Sequence, residues 1–194
     1  MLYTRKGDTG TTELFGSPDR LPKDCPLFEA LGTVDELNSL LGICFAKANR
    51  LADMAAKESA AAGDSPEAGF RHLAELVRDA QQDLFIVQAE LGGARKTLDH
   101  AHVLRLEALI AEVESQIENP HSFVIAGGSE LSAYFDYARA VSRRAERHVL
   151  AVRGDYPTSA NTQKYLNRLS SFLYALARKA NKLAESEEAK PTYL

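Results

Sequence analysis

The stretch that decides the fold class is Leu131-Ser132-Ala133-Tyr134-Phe135-Asp136-Tyr137-Ala138-Arg139-Ala140-Val141-Ser142-Arg143-Arg144-Ala145-Glu146-Arg147, which continues to Val152. Its apolar positions recur every three or four residues, at Leu131, Tyr134, Ala138, Val141, Ala145, Val149 and Val152. This period places one apolar stripe along an α-helix. Ser129, just before the stripe, is a favourable N-cap residue. The stretch therefore predicts an amphipathic helix with its core-facing side defined.

Four other segments show the same period. We expect helices from about Pro26 or Leu27 to Ala62, from Pro66 to Leu91, from Asp99 to Ile117 and from Thr158 to Glu185. Strand signals are nearly absent, and two prolines make residues 17–24 read as irregular. The prediction is an all-α five-helix bundle in one domain, residues 1–194, with an N-terminal loop at 1–26, a bundle at 27–185 and a polar, frayed tail at 186–194.

Composition narrows the function classes. The 194 residues are 45% hydrophobic and 26% charged, as in ordinary globular proteins, and the net charge of −4 disfavours a general nucleic-acid binder. No apolar run has transmembrane length and no signal peptide is visible, so we expect a cytoplasmic protein without a membrane partner. Cys25 and Cys44 lie too far apart for a zinc motif, which favours reduced thiols.

The N-terminal stretch Tyr3-Thr4-Arg5-Lys6-Gly7-Asp8-Thr9-Gly10-Thr11-Thr12 combines two glycines, four threonines and an adjacent pair of cations. Glycine permits turns that aim successive N–H groups at one point, and hydroxyl groups and cations suit a polyphosphate. The segment lacks the ending of a Walker loop. Composition alone leaves a phosphate-binding loop and a basic tail both open.

The predicted fourth helix carries arginines four residues apart, at Arg139, Arg143 and Arg147, so they share one face, and Glu146 could hold the Arg143 guanidinium. A solvated face and an anion site are both compatible with this pattern, although arginine's fork favours phosphate or carboxylate. No nucleophile-and-base set and no histidine or carboxylate cluster with metal-ligand spacing stands out. An enzyme built on this chain would work by binding charge and positioning substrates.

Four motifs occur in order: Thr4–Gly10, Gly32-Thr33-Val34-Asp35-Glu36-Leu37-Asn38-Ser39, Arg143–Arg147, and Leu166-Asn167-Arg168-Leu169-Ser170. Together they closely resemble the PduO-type ATP:cob(I)alamin adenosyltransferases, or corrinoid adenosyltransferases. The resemblance covers nearly the whole chain. It implies a ferritin-like five-helix bundle that forms homotrimers, with active sites between subunits.

The resemblance also implies roles for individual residues. Those expected to bind ATP are Thr4, Arg5, Lys6, Gly7, Thr12, Glu13, Lys23, Arg143, Arg144, Glu146, Arg147 and Asn167. Asp35 resembles an aspartate that pairs with Arg143 across the subunit boundary, and Phe123 resembles the aromatic residue at the cobalamin site. Asp35, Phe123, Arg143 and Arg147 are the expected catalytic residues. Mg²⁺ would be shared by the phosphates, and the chain itself would supply no metal site.

By the same resemblance, cob(I)alamin attacks the 5′ carbon of ATP and triphosphate leaves, with a corrinoid reductase and an adenosylcobalamin-dependent enzyme as possible partners. Three positions depart from the family pattern. Ala126 stands where the family usually has proline, Ser171 stands where an acid is common, and Glu13 replaces a small hydroxyl residue. The rival hypothesis is a non-catalytic nucleotide-binding bundle, acting as a sensor or as a chaperone for adenosylcobalamin. That rival would keep the ATP loop but would not need Phe123 with Asp35.

Overall fold

The computed structural model describes residues 3–14, 19–58, 66–118 and 122–192. Within these ranges five helices dominate: α1 (Pro26–Glu58), α2 (Pro66–Leu91), α3 (His100–Ser115), α4 (Glu130–Val152) and α5 (Ala160–Leu183). The predicted all-α five-helix bundle is confirmed. No helix in the described ranges is both long enough and apolar enough to span a bilayer.

The helices pack around one apolar core. α1 lies between α2 and α4, α5 packs against α4 and α3, and α2 also contacts α5. The stripe predicted for α4 is buried at Leu131, Ala138, Val141 and Ala145, joined by Phe135. Burying these faces provides most of the driving force for the bundle, since helices in proteins gain most of their stability from tertiary packing of an apolar face.

Capping residues fix where helices begin. Ser129 Oγ accepts the N–H of Ser132 at 3.2 Å, as the sequence predicts for α4. Asp99 caps α3 by accepting the N–H of His102 at 3.1 Å. The expected last turn of α1, up to Ala62, falls in residues 59–65, outside the described ranges.

The start of α5 is held by a buried carboxylate from another helix. Glu90, near the end of α2, accepts the N–H of Ser159 at 2.5 Å and the hydroxyl of Thr162. Ser159 itself caps α5 through the N–H of Thr162. A negative charge at a helix N-terminus is stabilised by the unpaired N–H groups there. This contact fixes the N-terminus of α5 beside the end of α2.

Two sequence expectations differ from the structure. Arg20–Pro22 is not irregular but forms a strand, β2, antiparallel to β1 (Thr11–Glu13), with Thr11 opposite Pro22, Thr12 opposite Leu21 and Glu13 opposite Arg20. Proline is tolerated because this two-stranded ribbon is all edge. The tail is also not frayed over residues 186–192, where the Ala189 carbonyl accepts the N–H of Ile125 at 2.8 Å.

Candidate functional site

The N-terminal segment forms a compact turn that leads into the ribbon. Arg5 has a φ of 62° and Gly10 a φ of 80°, both left-handed. Successive turns close with the N–H of Asp8 on the Arg5 carbonyl at 3.3 Å and that of Gly10 on the Gly7 carbonyl at 3.2 Å. These bonds occupy the N–H groups of Asp8 and Gly10, so the turn offers an anion mainly the exposed side chains of Arg5 and Lys6.

Arg20 organises this turn, and the sequence analysis did not single it out. Its guanidinium donates to the Lys6 carbonyl at 2.6 Å, to the Thr11 carbonyl at 2.9 Å and to Thr11 Oγ1 at 3.0 Å. It also pairs with Glu13 at 3.5 Å. One side chain on β2 therefore spans the turn and β1. The only sequence signal was an arginine between two prolines.

Lys23 lies at the centre of the same turn. Its N–H donates to the Gly10 carbonyl at 2.9 Å, and its ammonium lies 2.8 Å from where a β-carbon on Gly7 would sit. Thr4, Arg5, Lys6, Gly7, Thr12, Glu13 and Lys23, all predicted to bind ATP, thus belong to one loop-and-ribbon unit. Thr4, Arg5, Lys6 and Lys23 are exposed. The unit concentrates cations on an otherwise acidic chain.

A second group of residues lines a cleft of about 990 Å³ between α4, α5 and the chain that precedes α4. Phe123 lies on its wall and is 79% exposed. Arg139 and Arg143 contribute cations from α4, and Arg139 lies 5.8 Å from the ring centre of Tyr174. The remaining walls come from Glu114, Ser122, Val124, Ala126, Asp136, Ser170, Ser171, Lys190 and Pro191. An exposed aromatic ring beside cations is suited to a large ligand with both apolar and anionic parts.

The arginines of α4 divide into two sets. Arg143 and Arg147 are exposed and form no ion pair with any described residue, whereas Arg144 pairs with Glu36 on α1. The hydrogen bond to Glu36 raises the pKa of Arg144. Arg144 therefore supports the α1–α4 contact and leaves its neighbours to face solvent.

The expected contact between Glu146 and Arg143 does not form. Glu146 instead accepts the amide N–H of Asn167 on α5 at 3.0 Å, and the Asn167 carbonyl oxygen accepts from Arg168 at 3.0 Å. Residues at positions i and i+3 share a helix face, but a partner on the neighbouring helix offered better geometry. Glu146 and Asn167, both predicted to bind ATP, are thus brought together.

Asp35 lies on the exposed face of α1. Its carboxylate accepts the amide N–H of Gln88 at 3.3 Å. Among the described residues, no contact joins it to Arg143 within one chain, and none of those lining the cleft comes from the N-terminal loop. Apart from Asp35 on α1, the sequence-predicted residues therefore form two separate groups in a single chain, one in the loop and one on α4, α5 and the Phe123 segment.

The segment before α4, residues 122–128, is fixed by close contacts. Gly127 has a φ of 112°, which glycine adopts without strain. A β-carbon on Gly128 would lie 2.8 Å from the Asn181 side chain, so the backbone approaches α5 closely there. These contacts, with the bond from the Ile125 N–H to the Ala189 carbonyl, hold the segment although it has Ala126 where the family resemblance implies a proline.

A buried ion pair lies behind the cleft. Arg178 is 4% exposed and donates to Asp136 at 2.6 Å. Burial raises the pKa of Asp136, and the attraction of Arg178 opposes that shift without cancelling it.

Burial likewise raises the pKa of the Cys44 thiol on α1 to about 12. Among residues 3–14, 19–58, 66–118 and 122–192, no three histidine, cysteine or acidic side chains cluster to hold a metal.

Comparisons with known proteins agree on one family. The Cobalamin adenosyltransferase family profile matches residues 2–180. The chain is 35% identical over 184 residues to the corrinoid adenosyltransferase PduO of Salmonella typhimurium, covering 91% of the chain and 48% of that protein. It therefore spans about half the length of that relative. It is 34% identical to a corrinoid adenosyltransferase of Citrobacter freundii, covering 91% of the chain and 93% of that protein.

Solved structures with the same fold include two variants of a PduO-type ATP:corrinoid adenosyltransferase from Lactobacillus reuteri. One, complexed with cobalamin and ATP, matches with a TM-score of 0.81 at 24% identity, covering 98% of this chain and 96% of that one. The other, complexed with ATP, matches with a TM-score of 0.81 at 25% identity, covering 98% and 100%.

Proposed function

The chain belongs to the cobalamin adenosyltransferase family, and we propose that it transfers the 5′-deoxyadenosyl group of ATP to the cobalt of cob(I)alamin, giving adenosylcobalamin and triphosphate. Relatives named corrinoid adenosyltransferases match over nine-tenths of the chain. The neighbouring structures hold ATP and cobalamin in the same fold. The loop and the cleft supply the two kinds of surface that these substrates need.

The observation that carries this proposal is Phe123 on the wall of a cation-bearing cleft. A protein that only sensed ATP would need the cations, but not an aromatic ring exposed to 79% of its surface beside them. Exposing such a ring costs free energy until a ligand covers it. A flat corrin macrocycle provides that cover, while Arg139 and Arg143 attract anionic groups.

The chemistry requires charge neutralisation rather than a general base. Cobalt(I) supplies the nucleophile, a Co–C bond forms at the ribose 5′ carbon, and the C5′–O bond breaks with its electron pair leaving on triphosphate. Arg5, Lys6 and Lys23 in the loop, with Arg143 and Arg147 on α4, stabilise the charge on that leaving group. Glu146 and Asn167, joined by their hydrogen bond, help to hold ATP beside them.

Phe123 has a different task. In free cobalamin a nitrogen base coordinates the lower face of cobalt and makes its reduction difficult. A benzyl ring placed against that face excludes the base and any water, because it has no lone pair to coordinate. Phe123 therefore favours formation of cob(I)alamin and does not contact the phosphates.

We also propose that the active site is completed between subunits of a homotrimer. The loop and the cleft are separate within one chain, while Asp35 and Arg143 are both exposed and unpaired with each other. Pairing them across a subunit boundary would bring a neighbour's loop to the cleft. Mg²⁺ would arrive with the ATP phosphates, since the described residues offer no carboxylate cluster for it.

The test mixes protein, Mg-ATP and chemically reduced cobalamin under anaerobic conditions and follows loss of the cob(I)alamin absorbance. We expect adenosylcobalamin and triphosphate in equal amounts. ADP in place of ATP controls for the triphosphate leaving group. Binding of both ligands without Co–C bond formation above the protein-free rate would instead identify a nucleotide sensor or an adenosylcobalamin chaperone.

A further inference from the structure

The residues that follow α5 return to the cleft. We call residues 186–192 the C-terminal strap. Its Ala189 carbonyl accepts the N–H of Ile125 at 2.8 Å, and its Glu188 carboxylate accepts the Asn181 amide at 2.9 Å. Ile125 lies two residues after Phe123, so the strap is bonded to the same segment that presents the aromatic ring.

Glu188 secures the strap through a buried cation. Its carboxylate lies 3.1 Å from Nε of Arg178, whose side chain is only 3% exposed. Arg178 is also held by Asp136, which lines the cleft. A buried guanidinium shared by two carboxylates is strongly oriented, because each charge would be costly to leave unpaired. The strap is therefore anchored to the interior and not only laid on the surface.

This anchoring places Lys190 on the cleft wall with Phe123, Arg139 and Arg143. Lys190 is exposed and forms no ion pair with any residue in the described ranges. Its ammonium is thus available to a ligand in the cleft. The strap carries Pro191 beside it, which also lines the cleft and restricts the backbone at that point.

We propose that the C-terminal strap forms a wall of the corrinoid part of the cleft and that Lys190 binds the phosphodiester of the corrinoid's nucleotide loop. This inference rests on the proposed function. Because the strap is bonded to the Phe123 segment and not to the N-terminal loop, Lys190 lies on the corrinoid side. The amide side chains of a corrin ring are neutral, so the phosphodiester is the one anion there for a lysine to pair with.

The experiment compares cobalamin with cobinamide, which has the corrin ring but lacks the phosphodiester and the nucleotide. We expect Lys190→Ala to raise the KM and the Kd for cobalamin about fivefold to tenfold, the effect of losing one partly exposed charge-assisted contact. The kcat, the KM for ATP and both constants for cobinamide should stay unchanged. Lys190→Arg should restore most of the cobalamin affinity, and Lys57→Ala, at the end of α1, is the matched control.

A double-mutant cycle tests the role of the strap. Glu188→Gln should weaken cobalamin binding selectively as well, and adding Lys190→Ala to it should cost little more, since both changes remove the same contact. Effects that simply add would overturn the link between the anchor and Lys190. Circular dichroism melting of each variant checks that the bundle remains folded.

Two other outcomes overturn the proposal. One is an equal loss of affinity for cobalamin and cobinamide in Lys190→Ala, and the other is a rise in the KM for ATP instead. Equilibrium binding separates this test from that of the activity. If the wild-type protein binds cobalamin but does not turn over, the proposed function fails, while the Kd values still decide the role of Lys190.

Discussion

The ammonium group of Lys23 lies where a side chain on Gly7 would be, 2.8 Å from the position of its missing β-carbon. These residues are sixteen positions apart, and the antiparallel ribbon formed by β1 and β2 brings them together. The absence of a side chain at residue 7 thus allows the cation to approach the turn closely.

The first prediction is that Gly7→Ala weakens ATP binding. The methyl group displaces the flexible end of Lys23 from the turn, so the KM for ATP should rise several-fold, with a smaller change in kcat. Gly154→Ala is the control, because a β-carbon there meets nothing within 4 Å. Unchanged ATP kinetics in Gly7→Ala would show that the position of Lys23 is unimportant for phosphate binding.

The second prediction concerns Arg147. Arg147→Ala should remove a charge-assisted phosphate contact and so lower kcat/KM. The expected loss of transition-state stabilisation is about 2–4 kcal/mol. The melting temperature should hardly change, since Arg147 is exposed and forms no ion pair with a described residue. Arg153→Ala, just beyond the end of α4, removes the same charge elsewhere and should leave kinetics intact. Equal kcat/KM in wild type and Arg147→Ala would contradict the assignment.

The third prediction is that Mg-ATP orders the N-terminal loop and that Arg20 helps to hold it. Trypsin cleavage after Arg5 and Lys6, followed by mass spectrometry, should slow when Mg-ATP is added. Arg20→Ala removes three hydrogen bonds to Lys6 and Thr11, so cleavage should be faster and less responsive to ATP. Arg50→Ala on α1 is the control. The idea fails if nucleotide leaves the cleavage rate unchanged in the wild type.

The fourth prediction tests assembly. Light scattering should show a trimer, and Asp35→Asn should impair turnover with cobalamin more than it impairs trimer formation. A partly buried charge pair that loses one member leaves the other uncompensated, at a cost of several kcal/mol. The isosteric Asn keeps the hydrogen bond from Gln88 possible, so α1 and α2 should remain packed. A monomeric wild type, or a fully active Asp35→Asn variant, would rule out the inter-subunit site.

The fifth prediction uses the cysteines. Cys44 is buried and its pKa is raised to about 12 by burial, so its thiol stays protonated and unreactive in the folded protein. A chromogenic disulfide reagent at pH 8 should modify Cys25 alone, and both thiols only in denaturant.

The same shift has a consequence for stability. The pKa of Cys44 is higher in the folded than in the unfolded protein. Its protonated thiol therefore adds to the free energy of unfolding, fully below the unfolded pKa and progressively less as pH rises towards 12. Cys44→Ala should therefore flatten the alkaline decline in melting temperature. An equal decline in both proteins would contradict this.

The sequence predicts the bundle well where local signals are strong. Ser129 caps α4 as expected, and Pro66 begins α2, because capping groups and fixed backbone angles act over a few residues. The stripe of α4 is equally clear, since burial follows the helical period. These features depend on neighbours in the chain and can be read without knowing the tertiary structure.

Long-range contacts were not readable in the same way. Arg20 looked like one more loop cation, yet three acceptors surround it. Glu188 and Lys190 looked like solvated tail residues, although the strap depends on buried Arg178, on a helix that ended before them. Glu146 accepts a hydrogen bond from Asn167 and does not pair with Arg143, because α5 lies alongside α4. In each case the partner is distant in sequence, and no local sequence pattern predicts the contact.

The path of the strap has a practical consequence for handling the protein. Lys190 and Pro191 line the cleft, so a bulky label attached at either position would lie against the cleft wall. Such a label would occupy space that the proposed corrinoid substrate needs. Attachment through an exposed position on α1 that does not line the cleft, such as Lys57, avoids this obstruction.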